Sequence, residues 1–286
     1  MSFVIPAVLT ETCNATPERS AWLERLPAAL GLLRNRWSLT VGAPFEGEDV
    51  TSAWVAPATR SDGTPAILKL GMPHMEAERE IDGLRFWDGN PTVQLLEADD
   101  DLNAMLLERC EPGTSLRSLP EPEQDIIVAG LLQQLWRTPS DPHPFRSLGE
   151  MTALWGQEAI ADSAAWPDAG LVREGLRLFE ELPRSAPTEV VLATDLHAGN
   201  ILRAAREPWL VIDPKPFVGD PAYDATQHLF NCSRLLSDPI PTIRRFADLL
   251  ELDPERVQLW TFARAAVESG DEEDEETLSL ARALAP

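Results

Sequence analysis

The hydrophobic residues of the first 110 positions fall in short runs separated by turn-forming residues. Five runs alternate with Gly-, Pro- or Asp-containing connections, at residues 37–41, 50–56, 65–70, 93–96 and 104–107. Short apolar runs bounded in this way are typical of β-strands, and the first three runs predict an antiparallel meander. Two helical patterns accompany them. Residues 14–36 predict two short helices interrupted at Pro27, and residues 75–88 predict a third helix.

From residue 121 onward the hydrophobic spacing becomes helical. The predicted helices cover residues 121–136, 148–163, 168–182, 220–236, 241–251, 254–269 and 277–284. Strands become helices at Glu108-Arg109-Cys110-Glu111-Pro112-Gly113, a Pro-Gly connector that suggests a hinge. We therefore expect an α+β fold with two lobes. Residues 1–109 would form a small lobe around an antiparallel sheet, and residues 110–286 a larger, mostly helical lobe.

Composition and charge limit the compartment and the partners. No apolar run approaches the roughly 20 residues of a membrane span, and the N-terminal residues lack a secretory pattern. Cys13, Cys110 and Cys232 lie far apart, which favours free thiols in a reducing cytoplasm. The chain carries 24 basic and 47 acidic residues, for a net charge of −23. We expect no binding to nucleic acid or anionic membranes and an attraction for cationic small molecules, although acidity alone can serve solubility.

Three polar residues stand beside short apolar runs in the stretch from Val190 to Asn231. Asp195 follows the run 190–192, Asn200 comes five residues later, and Asp213 follows the run 209–212. The runs at 201–202 and 209–212 predict a hairpin. A protein-kinase catalytic loop has the same order of a base, an Asn ligand and a metal-binding Asp. The alternative is a surface loop whose Asp and Asn only form turns.

A lysine occurs inside the third predicted strand. Lys69 lies within Ala66-Ile67-Leu68-Lys69-Leu70, where an ammonium group needs a partner. In kinases the corresponding Lys binds nucleotide phosphates and pairs with a Glu of the next helix. Glu80 is the preferred partner, because it adjoins the buried stripe of that helix, and Glu76 is the second choice. The alternative is an edge-strand Lys that faces water.

Taken together, these motifs resemble the aminoglycoside phosphotransferase family, which has a protein-kinase-like fold. The resemblance covers essentially the whole chain, and Trp209-Leu-Val-Ile-Asp-Pro-Lys-Pro-Phe-Val-Gly-Asp-Pro-Ala-Tyr-Asp224 is its most specific part. Asp-Pro-Lys at 213–215 is similar to the branch of streptomycin 6-kinases and hydroxyurea kinases. One departure is that Ala193 and Thr194 occupy the places of the family's His and Gly before the catalytic Asp.

The resemblance implies a role for each matching position. Asp195 would be the catalytic base, with Asn200 and Asp213 as Mg²⁺ ligands. Lys69, braced by Glu80, would hold the α- and β-phosphates of ATP or GTP. The backbone of Arg109 and Cys110 would meet the adenine edge, and Asp224 would support the catalytic loop by accepting its backbone N–H groups. His197 would either pack the loop or contact substrate.

The expected activity is therefore phosphorylation of a hydroxyl group on a small cationic aminoglycoside such as streptomycin, which inactivates the antibiotic. Alternatives are a kinase of an endogenous amino sugar or small alcohol and a catalytically weak nucleotide-binding pseudokinase. Cationic substrates favour carboxylate contacts. The candidate substrate residues lie in the helical half: Glu158, Asp162, Asp220 and His228.

Overall fold

The described residues form eleven α-helices and nine short strands. The helices are α1 Ala7–Cys13, α2 Pro17–Arg36, α3 Glu80–Trp87, α4 Glu121–Leu135, α5 Leu148–Ala161, α6 Ala169–Arg184, α7 Pro221–Phe230, α8 Ser233–Ser237, α9 Pro239–Leu250, α10 Pro254–Glu268 and α11 Glu275–Leu284. The strands are β1 Thr40–Val41, β2 Ala53–Thr59, β3 Pro65–Gly71, β4 Leu95–Asp99, β5 Ala104–Glu108, β6 Val190–Leu192, β7 Ile201–Arg203, β8 Trp209–Val211 and β9 Phe217–Gly219.

The chain divides into two compact units. The first comprises Met1–Thr114 with Leu202–Ile212, and the second comprises Ser115–Ile201 with Asp213–Pro286. The structure, a computed structural model, describes residues 4–46, 52–268 and 275–286. Residues 50, 51 and 269, at the ends of two predicted elements, lie outside this description. The predicted boundary between residues 109 and 110 stays a prediction.

The first unit is built on a five-stranded antiparallel sheet in the order β1-β2-β3-β5-β4. The meander predicted from the first three apolar runs is present as β1-β2-β3, but β5 rather than β4 lies next to β3. Strand β3 is central, and Lys69 lies opposite Val55 of β2 and Met105 of β5. Lys69 is therefore not on an edge strand, and that alternative is wrong, because β3 pairs with β2 along one edge and with β5 along the other.

Helix α2 differs from its prediction, because it runs unbroken through Pro27. A proline inside a helix removes one backbone hydrogen bond and is normally disruptive. Here the helix carries a buried stripe at Trp22, Leu26, Leu30 and Leu33 that packs into the core of the sheet. The burial of this stripe outweighs the local cost of the proline, which sequence periodicity alone does not weigh.

The second unit is mostly helical and contains the ladder between β6 and β9. Its core includes a cluster of aromatic rings in which Tyr223 and Trp260 meet edge to face, with centroids 5.2 Å apart. The helix predicted at 220–236 is broken at Asn231, where α7 ends and α8 begins two residues later. One antiparallel sheet and a mostly helical remainder confirm the predicted α+β class. No helix within the described ranges has the length and apolarity that a membrane crossing requires.

Candidate active site

Lys69 and Glu80 form a buried ion pair in the first unit. The Lys69 Nζ lies 2.7 Å from both carboxylate oxygens of Glu80, and the side chains are 8% and 2% exposed. Glu80 is the first residue of α3, because Met75–Ala77 forms a separate 3₁₀ turn and Arg79 leaves the helical region at φ −119°. A carboxylate at a helix N-terminus is favoured by the helix dipole. The pair fixes an ammonium group on the central strand.

Arg206, which lies in the turn between β7 and β8, forms hydrogen bonds that hold the end of β5 in place. The Arg206 guanidinium donates to the carboxylate of Glu108 at 2.8 Å and to the carbonyl oxygens of Gly89 and Thr92 at 2.8 and 2.9 Å. Glu108 immediately precedes Arg109 and Cys110, the residues predicted to meet the adenine. Burial and the neighbouring Glu108 carboxylate raise the pKa of the Cys110 thiol to about 11. That thiol is therefore neutral at physiological pH.

In the second unit, the loops that carry Asp195 and Asp213 are hydrogen-bonded to each other. The ladder of β6 and β9 pairs Leu192 with Phe217, which brings the residues beyond them together. The backbone N–H of Lys215 donates to the carbonyl oxygen of Ala193 at 2.9 Å. The Thr194 hydroxyl donates to the carbonyl oxygen of Lys215 at 2.6 Å. The two sequence motifs thus form one local structure.

Asp224 lies beneath the loop that precedes Asp195 and is fully buried. One carboxylate oxygen accepts from the backbone N–H of Thr194 at 2.7 Å. The other accepts from the N–H of Ala193 and from the indole N–H of Trp136, both at 3.0 Å. Burial raises the pKa of Asp224 to about 6 against the opposing effect of these hydrogen bonds.

The loop needs this support because Thr194 adopts a positive φ of 48°. A β-branched residue in the left-handed region is strained, typically by ~1–3 kcal/mol. The hydrogen bonds of Thr194 to Asp224 and Lys215 hold it there. Asp213 has a positive φ of 53° as well, so each of the two hydrogen-bonded loops contains a non-glycine residue in this region.

Asn200 is attached directly to the Asp195 loop. Its amide Nδ2 donates to the carbonyl oxygen of Asp195 at 2.9 Å. The amide oxygen of Asn200 takes no part in this bond. Asn200 ends a 3₁₀ turn just before β7, and Asp213 follows shortly after β8. The hairpin of β7 and β8 therefore has both residues at the same end.

The carboxylate of Asp195 is engaged on both oxygens. Lys215 Nζ lies 2.6 Å from Oδ2, and Gln227 Nε2 donates to Oδ1 at 2.8 Å. The other end of the Gln227 amide accepts from Arg264 at 2.9 Å. The Arg264 guanidinium is buried and lies over the rings of Phe230 at 4.8 Å and other aromatic residues. This series of contacts fixes the orientation of the carboxylate.

Comparison with known proteins decides which family this arrangement belongs to. Residues 36–276 match the family described as aminoglycoside/hydroxyurea antibiotic resistance kinase. The chain belongs to this kinase family. The resemblance derived from the sequence is therefore confirmed, and the protein is a phosphotransferase that uses a nucleotide and acts on a hydroxyl group.

Individual relatives agree with this assignment. The chain is 38% identical over 259 residues to streptomycin 6-kinase of Streptomyces glaucescens, covering 86% of this chain and 83% of that protein. It is 37% identical over 252 residues to hydroxyurea phosphotransferase of Kitasatospora aureofaciens, covering 85% and 72%. Choline kinase of Streptococcus pneumoniae has the same fold, with a TM-score of 0.61 at 13% identity over 90% of this chain and 97% of that one.

Two of the substrate residues predicted for this kinase are buried. Asp220 is 1% exposed and caps α7; its carboxylate accepts from Arg256 at 2.5 Å and from the indole of Trp260 at 2.7 Å. His228 is completely buried, and its Nε2 lies 3.0 Å from Asp125. Their burial argues against direct contact with a substrate. Asp220 and His228 bond to residues that are distant in the sequence. Their burial therefore could not be predicted from the local sequence pattern.

His228 belongs to a buried network with Asp125 and Cys232 rather than to a substrate pocket. These three side chains come within 4.8 Å of one another, which is close enough to hold a metal. Burial raises the pKa of Asp125, but hydrogen bonds from His228 and Arg234 outweigh it and keep the pKa below its ordinary value. Burial raises the pKa of the Cys232 thiol to about 12. A protonated thiol and a carboxylate paired with arginine favour a structural network.

The other two substrate candidates and His197 are accessible to differing degrees. Glu158 of α5 and Asp162, its C-cap residue, are exposed. His197 is half-buried, and its Nδ1 accepts from the backbone N–H of Gly199 at 3.0 Å. A Cβ at Gly199 would lie 2.6 Å from the His197 ring, so this close approach requires glycine. This hydrogen bond supports the interpretation that His197 packs the loop.

Sequence reasoning assigned no role to Lys215, Gln227 or Arg264. Lys215 was part of the Asp-Pro-Lys motif, but nothing in the spacing indicated that its ammonium lies against Asp195. Gln227 follows Asp224 by three residues on α7 and could have been recognised only from the direction of that helix. Arg264 lies on α10, far along the chain, and no sequence signal connects it with the loop.

Proposed function

We propose that this kinase transfers the γ-phosphoryl group of ATP, with Mg²⁺, to a hydroxyl group of a cationic aminoglycoside such as streptomycin. The observation that carries the proposal is the attachment of Asn200 to the backbone of Asp195. This bond supports the proposal that the Asn200 amide oxygen acts as a metal ligand close to the oriented carboxylate of Asp195. A pair of this kind is what phosphoryl transfer to an alcohol requires, since a base and a metal must act on the same nucleotide complex.

The residues fit a magnesium ion. Asn200 offers an amide oxygen and Asp213 a carboxylate, which are hard oxygen ligands of the type that Mg²⁺ takes from proteins. Mg²⁺ usually keeps several waters and substrate phosphates, so two protein ligands suffice. When bound, the ion would neutralise phosphate charge. Asp213 and Asn200 would hold it at the end of the β7–β8 hairpin.

Asp195 would accept the proton of the acceptor hydroxyl. The Asp195 side chain is 18% exposed, and Gln227 holds its Oδ1. Asp224 would support the reaction by keeping Ala193 and Thr194 in the strained turn that presents Asp195. A base positioned in this way typically contributes ~10²–10⁴-fold to the rate.

Lys69 would bind the α- and β-phosphates, and Glu80 would keep its ammonium on the central strand. The backbone of Arg109 and Cys110, at the end of β5, would meet the adenine edge. Arg206 would serve this contact indirectly by fastening Glu108. A cytoplasmic location would supply the nucleotide and the reducing conditions that keep the three thiols free.

The acceptor is proposed from two observations. The streptomycin 6-kinase relative is 38% identical over most of the chain, and a net charge of −23 favours a cation. Glu158 and Asp162 remain candidates for contact with amine or guanidinium groups. Hydroxyurea is a second candidate acceptor because its phosphotransferase is 37% identical to this chain.

The test is ADP release with streptomycin and with hydroxyurea over a range of salt concentrations. We expect turnover of streptomycin with a KM that rises with salt, because exposed charge interactions are screened over ~8 Å at physiological ionic strength. Hydroxyurea is neutral and provides the control for general salt effects. If hydroxyurea is the better acceptor at every ionic strength, the cationic-substrate proposal is rejected while phosphoryl transfer stands.

A further inference from the structure

The chain contains only two lysines, Lys69 and Lys215, against 22 arginines. The sequence therefore uses arginine almost everywhere that it needs a cation. Lys69 is in the ion pair with Glu80 described above. Lys215 lies against Asp195, the proposed base. The two cations differ in shape and flexibility. The planar guanidinium of arginine suits a fixed bidentate contact, whereas the ammonium of lysine is a compact charge at the end of a flexible aliphatic chain.

The backbone of Lys215 is fixed by two hydrogen bonds, and its side chain is partly exposed. Its N–H donates to Ala193 at 2.9 Å and its carbonyl oxygen accepts from Thr194 at 2.6 Å. The side chain is 17% exposed. Lys215 follows Asp213, the proposed metal ligand, by two residues. Rotation about the side-chain bonds would redirect the ammonium while the backbone hydrogen bonds of the loop stay in place.

The contact with Asp195 obstructs the acceptor. The ammonium lies 2.6 Å from Oδ2, the oxygen that Gln227 does not occupy. A hydroxyl group that is to give its proton to Asp195 must approach this same carboxylate. A cationic acceptor would also be repelled by a positive charge at this position. The ion pair seen here therefore fits the enzyme before nucleotide binding better than the reacting complex.

From this arrangement we infer that Lys215 is a mobile catalytic cation, which leaves Asp195 for the transferred phosphoryl group when the nucleoside triphosphate binds. The inference rests on the proposed role of Asp195. In the reaction the bond from the acceptor oxygen to the γ-phosphorus forms as the bond from that phosphorus to the bridging oxygen breaks. ADP keeps the electron pair, and the hydroxyl proton goes to Asp195. The departure of Lys215 first opens Asp195 to the acceptor. At its new position the Lys215 ammonium neutralises charge on the phosphoryl oxygens during the transfer.

The scarcity of lysine makes the first test direct. Protein grown with ¹³C-labelled lysine gives side-chain NMR signals from two residues only, and Lys215→Arg assigns them. We expect the Lys215 signal to move when a non-hydrolysable ATP analogue is added with Mg²⁺, and to stay in place with ADP and Mg²⁺. A signal that does not respond to the analogue, or that responds equally to ADP, would overturn the inference.

The second test compares the dissociation constant of streptomycin with and without the analogue by calorimetry. For the wild type we expect at least tenfold tighter binding with the analogue. Lys215→Met should bind streptomycin about tenfold more tightly than wild type without nucleotide, with little further gain from the analogue. Lys215→Arg should bind it weakly in both states, because a guanidinium keeps a bidentate contact with Asp195. Both variants should lose at least tenfold in kcat.

Arg177→Met is the matched control, because it removes one positive charge from an exposed ion pair on α6. It should behave as the wild type does. If Lys215→Met and Lys215→Arg change nucleotide-free affinity in the same direction, Lys215 has only a structural role. A wild type that does not phosphorylate streptomycin refutes the proposed acceptor instead. The NMR test uses no acceptor and still decides the role of Lys215.

Discussion

Replacing Asp224 with Asn tests whether a buried carboxylate supports the catalytic loop. Burial raises the pKa of Asp224 to about 6, whereas an Asp in an unfolded chain has a pKa of ~3.9. The folded state therefore binds this proton more tightly than the unfolded state does. A shift of about two pKa units corresponds to about 3 kcal/mol of free energy of unfolding.

The sign follows from the direction of the shift. Above pH ~6 the folded protein carries the full cost of ionising Asp224, and this cost disappears as the pH falls toward ~4. Asp224→Asn has no such titration. The stability of the wild type relative to the variant should therefore increase by ~2.4 kcal/mol between pH 8 and pH 4, and by about 3 kcal/mol only below the unfolded pKa. At pH 8 the two proteins should have similar free energies of unfolding. The variant leaves a buried N–H without an acceptor, which costs ~1–3 kcal/mol. It also avoids the cost of ionising Asp224, and the two effects largely cancel.

Urea unfolding followed by circular dichroism at several pH values measures this difference. Trp136→Phe is the control, since it removes one donor to Asp224 and keeps the carboxyl group. The turnover of Asp224→Asn should fall more than tenfold at pH 8, because the N–H group of either Ala193 or Thr194 then faces an amide NH₂ and loses its acceptor. A stability difference that is constant with pH, or that changes with the opposite sign, would refute the reasoning.

Three further substitutions separate the roles in the site. Asp213→Ala should abolish Mg²⁺-dependent nucleotide binding in calorimetry and leave the melting temperature nearly unchanged; wild-type turnover would reject the ligand assignment. Asp195→Asn should lower kcat by ~10²–10⁴-fold while nucleotide affinity is kept, and the reverse result in kinetic and binding assays would mean that the roles are exchanged. Lys69→Met removes the ion-pair partner of buried Glu80, so urea unfolding should show a loss of ~3–5 kcal/mol. Adding Glu80→Gln should recover part of that stability, and no recovery would contradict the assigned pairing.

The sequence predicted those features in which a local pattern and a chemical requirement coincide. The presence of strands around Lys69 follows from the short apolar runs, and a buried ammonium needs a carboxylate such as Glu80. The Asp195 and Asn200 spacing is likewise a local property of one loop. These features are short-range or are limited by a strong physical constraint.

Other features depend on packing that no local pattern records. Pro27 stays inside a continuous α2 because the buried face of that helix packs against the sheet. Asp220 and His228 are hidden by α10 and α4, whose positions follow from the tertiary fold. The contact of Lys215 with Asp195 depends on the register of β6 and β9. The low number of lysines was the one sequence signal that could have drawn attention to it.

The assignment of residues 202–212 to the first unit has a consequence for biosynthesis. The ribosome delivers Thr114 long before Ile212, so the sheet-containing unit stays incomplete while 98 intervening and closing residues are added. At ~5–20 residues per second this delay lasts about 5–20 s. Until Arg206 has been synthesised, the ion pair between Arg206 and the carboxylate of Glu108 cannot form. Translation speed through this segment is thus coupled to the moment at which the N-terminal unit can become complete.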